Sequence, residues 1–231
     1  NDGLTYTATS AESNVLASMS NDTLTLTPAA DWNGTADITV TVTDDGTGTL
    51  TDSEIFTLTV NPINDNPVLT AIGSQSVNED TAKVVVLTAT DIDEDDFTYA
   101  VSSLDTNVTT IVSNDTLTMT PAINWNGSAN ITVVVTDDGT NTLSDTTIFI
   151  LTVNAINDEP VLATIGSQTT NEDTAKVITL SATDVEGDSL IYTASLSDTN
   201  VTAAINVTTL TLTPTANWIG TASITVTVTD D

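Results

Sequence analysis

The sequence lacks the residues on which many enzymes and metal sites depend. Its 231 residues include no cysteine and no histidine, and its only basic residues are two lysines. These absences exclude disulfides, thiol nucleophiles, the usual zinc sites and histidine-based catalysis. A chain without cysteine is compatible with an extracellular protein that is stabilised by metal ions in place of disulfides.

The scarcity of basic residues restricts the partners of the chain. Its 32 acidic residues and two lysines give a formal net charge of −30. Nucleic acid and anionic membrane surfaces are excluded as partners, because both are bound through basic side chains. Acids that lie closer together than the Debye length of about 8 Å repel one another at physiological salt. The acids must therefore be spread over the surface or have cations among them.

The composition that remains is typical of β-strands. Aromatic residues make up only 4% of the chain, and its apolar residues are mostly Val, Ile, Leu and Ala, which alternate with Thr. No stretch has the pattern of a signal peptide or a transmembrane helix. We expect this sequence to be a window on a longer repetitive chain or filament, with its export signals elsewhere.

An internal repeat of 93 residues organises the chain. One Trp, one Pro and one Tyr recur at this spacing in each copy: Trp32, Trp125 and Trp218; Pro28, Pro121 and Pro214; Tyr6, Tyr99 and Tyr192. A period without insertions indicates three copies of one module. The predicted domains are an N-terminally incomplete repeat at 1–60, a complete repeat at 61–153 and a C-terminally incomplete repeat at 154–231.

Each copy is a series of short stretches with a period of two, and none has helical spacing. In the complete copy the predicted strands are 72–77, 84–89, 97–101, 108–112, 116–120, 131–135 and 149–153. Such a series predicts an all-β fold: tandem sandwiches of immunoglobulin-like size, joined end to end.

The acids are concentrated in the loops between the predicted strands. In the complete copy they lie at 64–66, 78–80, 91–96 and 137–138. Carboxylates, Asn side chains and backbone carbonyls are the oxygen ligands that calcium requires. Alternation in Asp91-Ile92-Asp93 places two carboxylates on one side of an extended loop. The sequence therefore predicts calcium sites.

Four motifs in a fixed order resemble those of cadherins. Ala89-Thr90-Asp91-Ile92-Asp93 resembles the Ala-x-Asp-x-Asp motif, and Val135-Thr136-Asp137-Asp138-Gly139 resembles the late Asp motif. Val77-Asn78-Glu79-Asp80 is similar to the first-strand motif built on Glu. Asn61-Pro62-Ile63-Asn64-Asp65-Asn66-Pro67, repeated at 154–160, resembles the linker. The Thr-rich, Lys-poor sequence is most similar to bacterial cadherin-like repeats of large secreted adhesins.

This resemblance implies calcium at the module junctions. At the junction after the first copy it implies the ligands Asn64, Asp65, Asn66, Asp91, Asp93 and Asp137. At the junction after the second copy it implies the ligands Glu79, Asn157, Asp158, Glu159, Asp184, Glu186 and Asp230.

The sequence also departs from the cadherin pattern. The Asp-Arg-Glu motif of the family is missing, and Thr-Pro-x-x-x-Trp-x-Gly stands in its place, as at 120–127. Three residues of these turns could act as weak substitutes for the ligands of the missing motif: Asp31, Asn124 and Asn217. Glu186 replaces the second Asp of its motif, and Pro62 and Ala155 replace the first linker Asp. We therefore expect fewer calcium ions per junction than in animal cadherins.

Other interpretations of these features remain open. The acidic loops are also compatible with plain solvated surface, and each Trp with a sugar-stacking platform or a core residue. Rows such as Thr23-Leu24-Thr25-Leu26-Thr27 are compatible with an ice- or glycan-binding face or with the wet side of a strand. Paired acids in a glycosidase are a remoter alternative.

The predicted function is structural, not enzymatic. Calcium stiffens the repeats into an extracellular rod, as the stalk of an adhesin or the shaft of a surface filament. Its partners are neighbouring repeats of the same chain, and other parts of the full-length protein would contact a glycan or cell-surface ligand. The alternative is a glycan- or ice-binding module that uses the Thr rows or Trp turns. Copies of the chain could also form a homopolymer by strand addition, or the chain could simply continue.

Overall fold

The computed structural model describes residues 3–230, and this part of the chain contains 21 β-strands and no helix. The all-β prediction is therefore confirmed. In chain order the strands are β1 (Leu4–Ser10), β2 (Val15–Ser20), β3 (Thr23–Pro28), β4 (Gly34–Asp44), β5 (Thr51–Val60), β6 (Val68–Leu69), β7 (Gln75–Asn78), β8 (Lys83–Val86), β9 (Ala89–Thr90), β10 (Phe97–Ser103), β11 (Val108–Ser113), β12 (Thr116–Pro121), β13 (Gly127–Asp137), β14 (Ser144–Asn154), β15 (Val161–Leu162), β16 (Lys176–Thr179), β17 (Ala182–Thr183), β18 (Ile191–Leu196), β19 (Val201–Asn206), β20 (Thr209–Pro214) and β21 (Ile224–Thr229).

Equivalent strands of the three copies pair in the same way. β1, β4 and β5 form an antiparallel sheet in the order β1-β4-β5, and the matching sheet of the next copy has the order β10-β13-β14-β7. Tyr6 lies opposite Val42 in the first of these sheets, and Tyr99 lies opposite Val135 in the second. In the third copy β18 pairs with β21 in the same register, with Tyr192 opposite Val228. The 93-residue period of the sequence is thus a period of the fold.

A second set of sheets supplies the other layer of each sandwich. These sheets have the orders β2-β3, β11-β12-β8 and β16-β20-β19. In the first copy Val15 of β2 is buried with Ile38 of β4, and Leu24 and Leu26 of β3 pack against them. In the third copy Leu210 and Leu212 belong to the buried cluster against which Ile224 and Val226 of β21 pack. Burial of alternate apolar residues from both sheets therefore forms the core.

The strand pattern predicts eleven core residues in the complete copy: Phe97, Tyr99, Leu117, Met119, Trp125, Ile131, Val133, Val135, Phe149, Leu151 and Val153. This predicted core is largely confirmed. Eight of its members are buried: Leu117, Met119, Ile131, Val133, Val135, Phe149, Leu151 and Val153. Phe97, Tyr99 and Trp125 are only partly buried. Leu87 and Val108 are buried as well and were not predicted.

One predicted strand is divided in the structure. The stretch 84–89 becomes β8 and β9, separated by Leu87 and Thr88. β8 pairs with β12, whereas β9 pairs with β6, so the chain passes from one sheet to another between them. Its backbone stays paired during this passage, because the amide of Leu87 donates to Asp115 O at 2.7 Å. A period of two continues through the break, which is why the sequence pattern did not reveal it.

The chain divides into two compact units. One runs to Gln75 and continues in Lys83–Thr120 and Ala129–Leu151. The other contains Ser76–Ala82, Pro121–Ser128 and the residues from Thr152 onward. Within residues 3–230, no helix has the length and apolarity needed to cross a membrane.

A groove opens on the second unit, and both polar and apolar side chains line it. Its apolar lining includes Leu212, Trp218 and Ile224, and its polar lining includes Gln168 and Lys176.

Candidate metal centre

The first acidic cluster, defined as Asn64, Asp65, Asp91, Asp93, Asp95 and Asp137, is assembled from three segments. Asp91 directly follows β9, and the extended loop after it places alternate side chains on one side. Carboxylate oxygens of Asp91, Asp93 and Asp95 consequently lie within 4.8 Å of one another. The linker at 61–67, here called the seam, contains Asn64 and Asp65 and adds backbone and amide groups. Asp137 is the last residue of β13.

Hydrogen bonds join these segments within the first unit. The Asp65 amide donates to Asp93 Oδ2 at 2.8 Å, and the Asp93 amide donates to Asp91 Oδ1 at 2.8 Å. Asn64 Nδ2 donates to Asp137 Oδ2 at 3.2 Å. The seam, the Asp-x-Asp loop and the late Asp loop therefore converge, as the motif order predicted.

Asp137 is the most deeply buried acid of the first cluster, with 3% of its surface exposed. Its Oδ1 accepts hydrogen bonds from the amides of Gly139 at 3.2 Å and Leu143 at 2.9 Å. A side chain at position 139 would overlap Asn64 Oδ1 and Asp95 Oδ2. These two side-chain oxygens therefore approach the same short stretch of backbone.

Two carboxylate oxygens of the first cluster are buried without a hydrogen-bond partner, Asp91 Oδ2 and Asp95 Oδ2. Burial, followed by the negative charge of Asp31, raises the pKa of Asp65, and the charges of Asp93 and Asp91 raise it further. Burial and the charge of Asp91 raise the pKa of Asp95. The carboxylates repel one another, and a cation among them would remove that repulsion.

Asn66 and Asp31 lie at the edge of this cluster. Both line the same open cleft as Asn64, Asp65 and Asp91. Asn66 is exposed, whereas Asn64 and Asp65 are half-buried. Asp31 belongs to the turn before Trp32. The sequence suggested it only as a weak substitute for the missing Asp-Arg-Glu motif.

The second acidic cluster, defined as Glu79, Asn157, Asp158, Asp184, Glu186 and Asp230, lies within the second unit. Glu79 follows β7 and is only 3% exposed. Its Oε1 accepts a hydrogen bond of 2.6 Å from the Ile156 amide. Its Oε2 is buried without a partner. A nearly fully buried carboxylate with a free oxygen is costly unless a cation completes its coordination.

The remaining members of the second cluster repeat the contacts of the first. The Asp158 amide donates to Glu186 Oε2 at 3.2 Å, and Asn157 Nδ2 donates to Asp230 Oδ2 at 2.9 Å. Asp158 Oδ2 and Asp184 Oδ2 are buried without partners. Burial and the charge of Glu186 raise the pKa of Asp158. Two separate loops of the chain thus form the same arrangement from equivalent positions.

Asp184 is held by its own loop. Its Oδ1 accepts hydrogen bonds from the amides of Gly187 at 2.9 Å and Asp188 at 3.0 Å. This arrangement leaves Oδ2 directed away from the loop amides that bind Oδ1. Glu159, by contrast, is exposed and has no hydrogen bond within residues 3–230.

Two acids at these clusters were not among the predicted ligands, Asp95 and Asp80. Asp95 continues the alternation of Asp91 and Asp93, and this continuation was the signal that identifies it. Asp80 adds to the negative charge on Asp158, and its Oδ1 accepts a hydrogen bond of 2.9 Å from the Asn124 amide. Asp80 is next to Glu79 in the sequence, and this position could have identified it as part of the cluster.

The donor set of both clusters fits calcium. Every candidate ligand atom is an oxygen, and calcium takes six to eight oxygens at about 2.3–2.6 Å. Within residues 3–230, five buried carboxylate oxygens of the two clusters have no hydrogen-bond partner: Glu79 Oε2, Asp91 Oδ2, Asp95 Oδ2, Asp158 Oδ2 and Asp184 Oδ2. Carboxylate oxygens that accept no hydrogen bond are free to coordinate a hard divalent cation such as calcium.

The tryptophan turns contribute to the cores. Trp32 packs against the cluster of Val15, Ala36 and Ile38, and Trp218 packs against that of Leu180 and its neighbours. These contacts favour a core role for both rings over a sugar-stacking platform. Their burial reduces the ring area that a sugar could stack on.

Comparisons with known proteins agree with the fold. A cadherin-like domain model matches residues 1–61 and 63–154, and a bacterial Ig domain model matches residues 157–231. Both models describe modules of the predicted kind. No curated protein sequence matches the chain.

Several solved structures share the fold at low sequence identity. Mouse cadherin-23 EC22-24 matches 98% of the chain and 80% of its own length, with a TM-score of 0.59 and 21% identity. Human CDH23 EC21-23 matches 79% of the chain and 73% of its own length, with a TM-score of 0.52 and 16% identity. The protocadherin gammaB7 EC3-6 cis-dimer structure matches 98% of the chain at a TM-score of 0.51 and 17% identity. The chain spans 63% of that structure and 43% of the protocadherin GammaB4 ectodomain.

Proposed function

Since the chain belongs to the cadherin-like domain family, we propose that its repeats form an extracellular structural spacer in which calcium joins successive modules. Domains of this family are typically extracellular, calcium-binding and non-enzymatic. The observation that carries the proposal is the set of buried carboxylate oxygens without partners, which recurs in both acidic clusters. The chain has only two lysines against 32 acids, so a bound cation is the simplest explanation for carboxylates that are buried together.

The modules of this spacer are the repeats at 1–60, 61–153 and 154–231. The 93-residue spacing of equivalent strands, for example β2, β11 and β19, supports these boundaries. A module of about 93 residues has a small core, so a cation that binds only the folded state would add useful stability.

The proposed ligands of the first site are the side chains of the first cluster, with Asn66 at its edge. The proposed ligands of the second site are those of the second cluster, together with Glu159. Glu159 is the weakest assignment, because it is exposed and makes no hydrogen bond within the described residues. Bound calcium would supply positive charge and coordination, while the loop amides hold each carboxylate in place, as the Gly187 amide does for Asp184.

The biological role that fits these properties is the stalk of a surface adhesin or the shaft of a surface filament. Neighbouring repeats are the immediate partners, and other copies of the chain are partners if the filament is a homopolymer. Contact with a glycan or cell-surface ligand would come from other parts of the full-length protein. Without calcium the clustered acids repel one another, so the junctions should become flexible and sensitive to proteases.

Calcium titration of the intact chain tests the proposal. We expect saturable uptake with dissociation constants of about 10⁻⁴–10⁻³ M, as is usual for extracellular modules. Millimolar calcium should raise the melting temperature, and small-angle scattering should show a stiffer particle than in excess chelator. The absence of calcium uptake, with melting and scattering unchanged, would show that the clusters are only acidic surface.

A further inference from the structure

One hairpin of each copy carries an Asn-x-Thr sequence at its tip. These hairpins are β2–β3, β11–β12 and β19–β20, and a loop of two residues closes each of them. The three sequences are Asn21-Asp22-Thr23, Asn114-Asp115-Thr116 and Asn206-Val207-Thr208. Asn-x-Thr, with any residue except Pro in the middle, is the acceptor sequence for N-linked glycosylation.

The backbone of the hairpin loop explains the Asn in two copies only. The first loop residue has a positive φ in all three hairpins, 54° at Asn21, 54° at Asn114 and 55° at Val207. Asn tolerates this left-handed region, whereas a β-branched residue such as Val is strained there. In the third copy the Asn stands one residue earlier, at 206, which is the last residue of β19. Turn geometry thus accounts for Asn21 and Asn114 but not for Asn206, whereas the acceptor sequence is common to all three tips.

The Asn side chains of the three tips are accessible. Asn21, Asn114 and Asn206 are exposed, and Val207 beside the last of them has 80% of its surface exposed. Within residues 3–230, the side-chain amides of these three Asn residues have no hydrogen-bond partner. An enzyme can therefore reach each amide nitrogen without opening the sandwich.

Five further Asn-x-Ser/Thr sequences lack this combination. They begin at Asn33, Asn107, Asn126, Asn130 and Asn200, and none of them recurs in all three copies. Asn107 and Asn200 are half-buried. The Nδ2 atom of Asn107 donates to Asp105 Oδ1 at 3.0 Å, and Asn200 makes the equivalent bond at 2.8 Å. Asn130 lies inside β13, so its acceptor sequence cannot leave the sheet without breaking strand pairing.

We propose that the three hairpin tips are acceptor sites for an N-linked saccharide, at Asn21, Asn114 and Asn206. In the reaction, Nδ2 forms a bond to the anomeric carbon of a sugar that is activated on a nucleoside diphosphate. The bond between that carbon and the phosphate oxygen breaks, the nucleoside diphosphate leaves with the electron pair, and the amide loses one proton. The site uses none of the acidic clusters, so it holds or fails independently of the proposed calcium function.

Glucosylation of the intact, folded chain tests this proposal. The chain is incubated with UDP-glucose and a soluble transferase specific for Asn-x-Ser/Thr, and peptide mapping by mass spectrometry measures glucose at each Asn. Synthetic peptides of the same sequences give the rates without the fold. We expect the three tips to react within about twofold of their peptides, because exposed loop tips are open to enzymes. Asn107, Asn130 and Asn200 should react at least about tenfold more slowly than theirs, because the fold must first open locally.

Asn206→Ser is the matched variant, because Ser20 and Ser113 occupy this position in the other two copies. The hairpin should therefore fold, and glucose should be lost at the third tip alone. Persistence of glucose at this tip in the variant would contradict the assignment of Asn206. Relative to their peptides, equal protection or equal reaction of the tips and of Asn107 and Asn200 would overturn the proposal, because the fold would then not present the tips as acceptors.

Discussion

Asp184 combines an observed structural contact with a proposed role as a calcium ligand. Its Oδ1 accepts two loop amides, and its Oδ2 is buried without a partner. Asp184→Asn keeps an Oδ1 acceptor for the loop and removes the charge. We expect the calcium-free melting temperature to stay within a few degrees of the parent value, while calcium affinity at the second site falls about tenfold or more. Thermal melting in chelator and calcium calorimetry measure the two effects separately.

Asp22→Asn is the matched control for this variant. Asp22 is an exposed turn residue between β2 and β3, so its substitution removes one charge far from any proposed ligand loop in the sequence. Its calcium affinity should equal that of the parent chain. A loss of calcium affinity as large as that of Asp184→Asn would mean that net charge, not coordination by Asp184, controls uptake.

Gly127 is required by the tryptophan turn of the second copy. Its φ is +150°, and a Cβ atom there would lie 2.8 Å from Cζ2 of Trp125. Gly127→Ala should therefore destabilise the chain by about 2 kcal/mol, through backbone strain and overpacking. Denaturant unfolding measures this loss of free energy. Gly166→Ala is the control, since nothing lies within 4 Å of its Cβ position, and an equal loss there would remove the packing explanation.

At the scale of strands, the sequence predicted which stretches are strands better than where they end. The alternation of apolar residues and Thr identifies β10 and β12 because one face of each strand packs on the core. It does not show that β8 and β9 belong to different sheets, since the alternation continues through Leu87. Which sheet a strand joins is decided by long-range pairing, here with β12 and with β6.

The candidate site was predictable to a similar degree. The motif order identified Asp91, Asp93 and Asp137, and the structure brings them together with the seam. Asp31 was harder to assign, because its turn is about 60 residues from Asp91 in the chain and reaches the cleft only through folding. Local pattern thus predicts ligands that share a loop, and tertiary structure is needed for the others.

At the scale of the whole molecule, the order of the four motifs carried more information than any one of them. Each acidic motif alone is compatible with plain surface. Their sequence within a 93-residue period predicted the family, and the cadherin-like domain model that matches residues 1–61 and 63–154 confirms it. Composition alone would have predicted only an acidic all-β chain, because many strand-rich surface proteins share such a composition.

The net charge of −30 leads to a prediction about salt that separates clustered from dispersed acids. Without calcium, sodium chloride should raise the melting temperature, because screening reduces repulsion among carboxylates. With saturating calcium, the same addition of salt should raise it less, since the strongest repulsion, at the two clusters, is already neutralised. Melting curves at several salt concentrations, in chelator and in millimolar calcium, measure the difference. An identical salt response in both conditions would place most of the repulsion among the dispersed surface acids, and the buried oxygens of Glu79, Asp91 and Asp184 would then need another explanation.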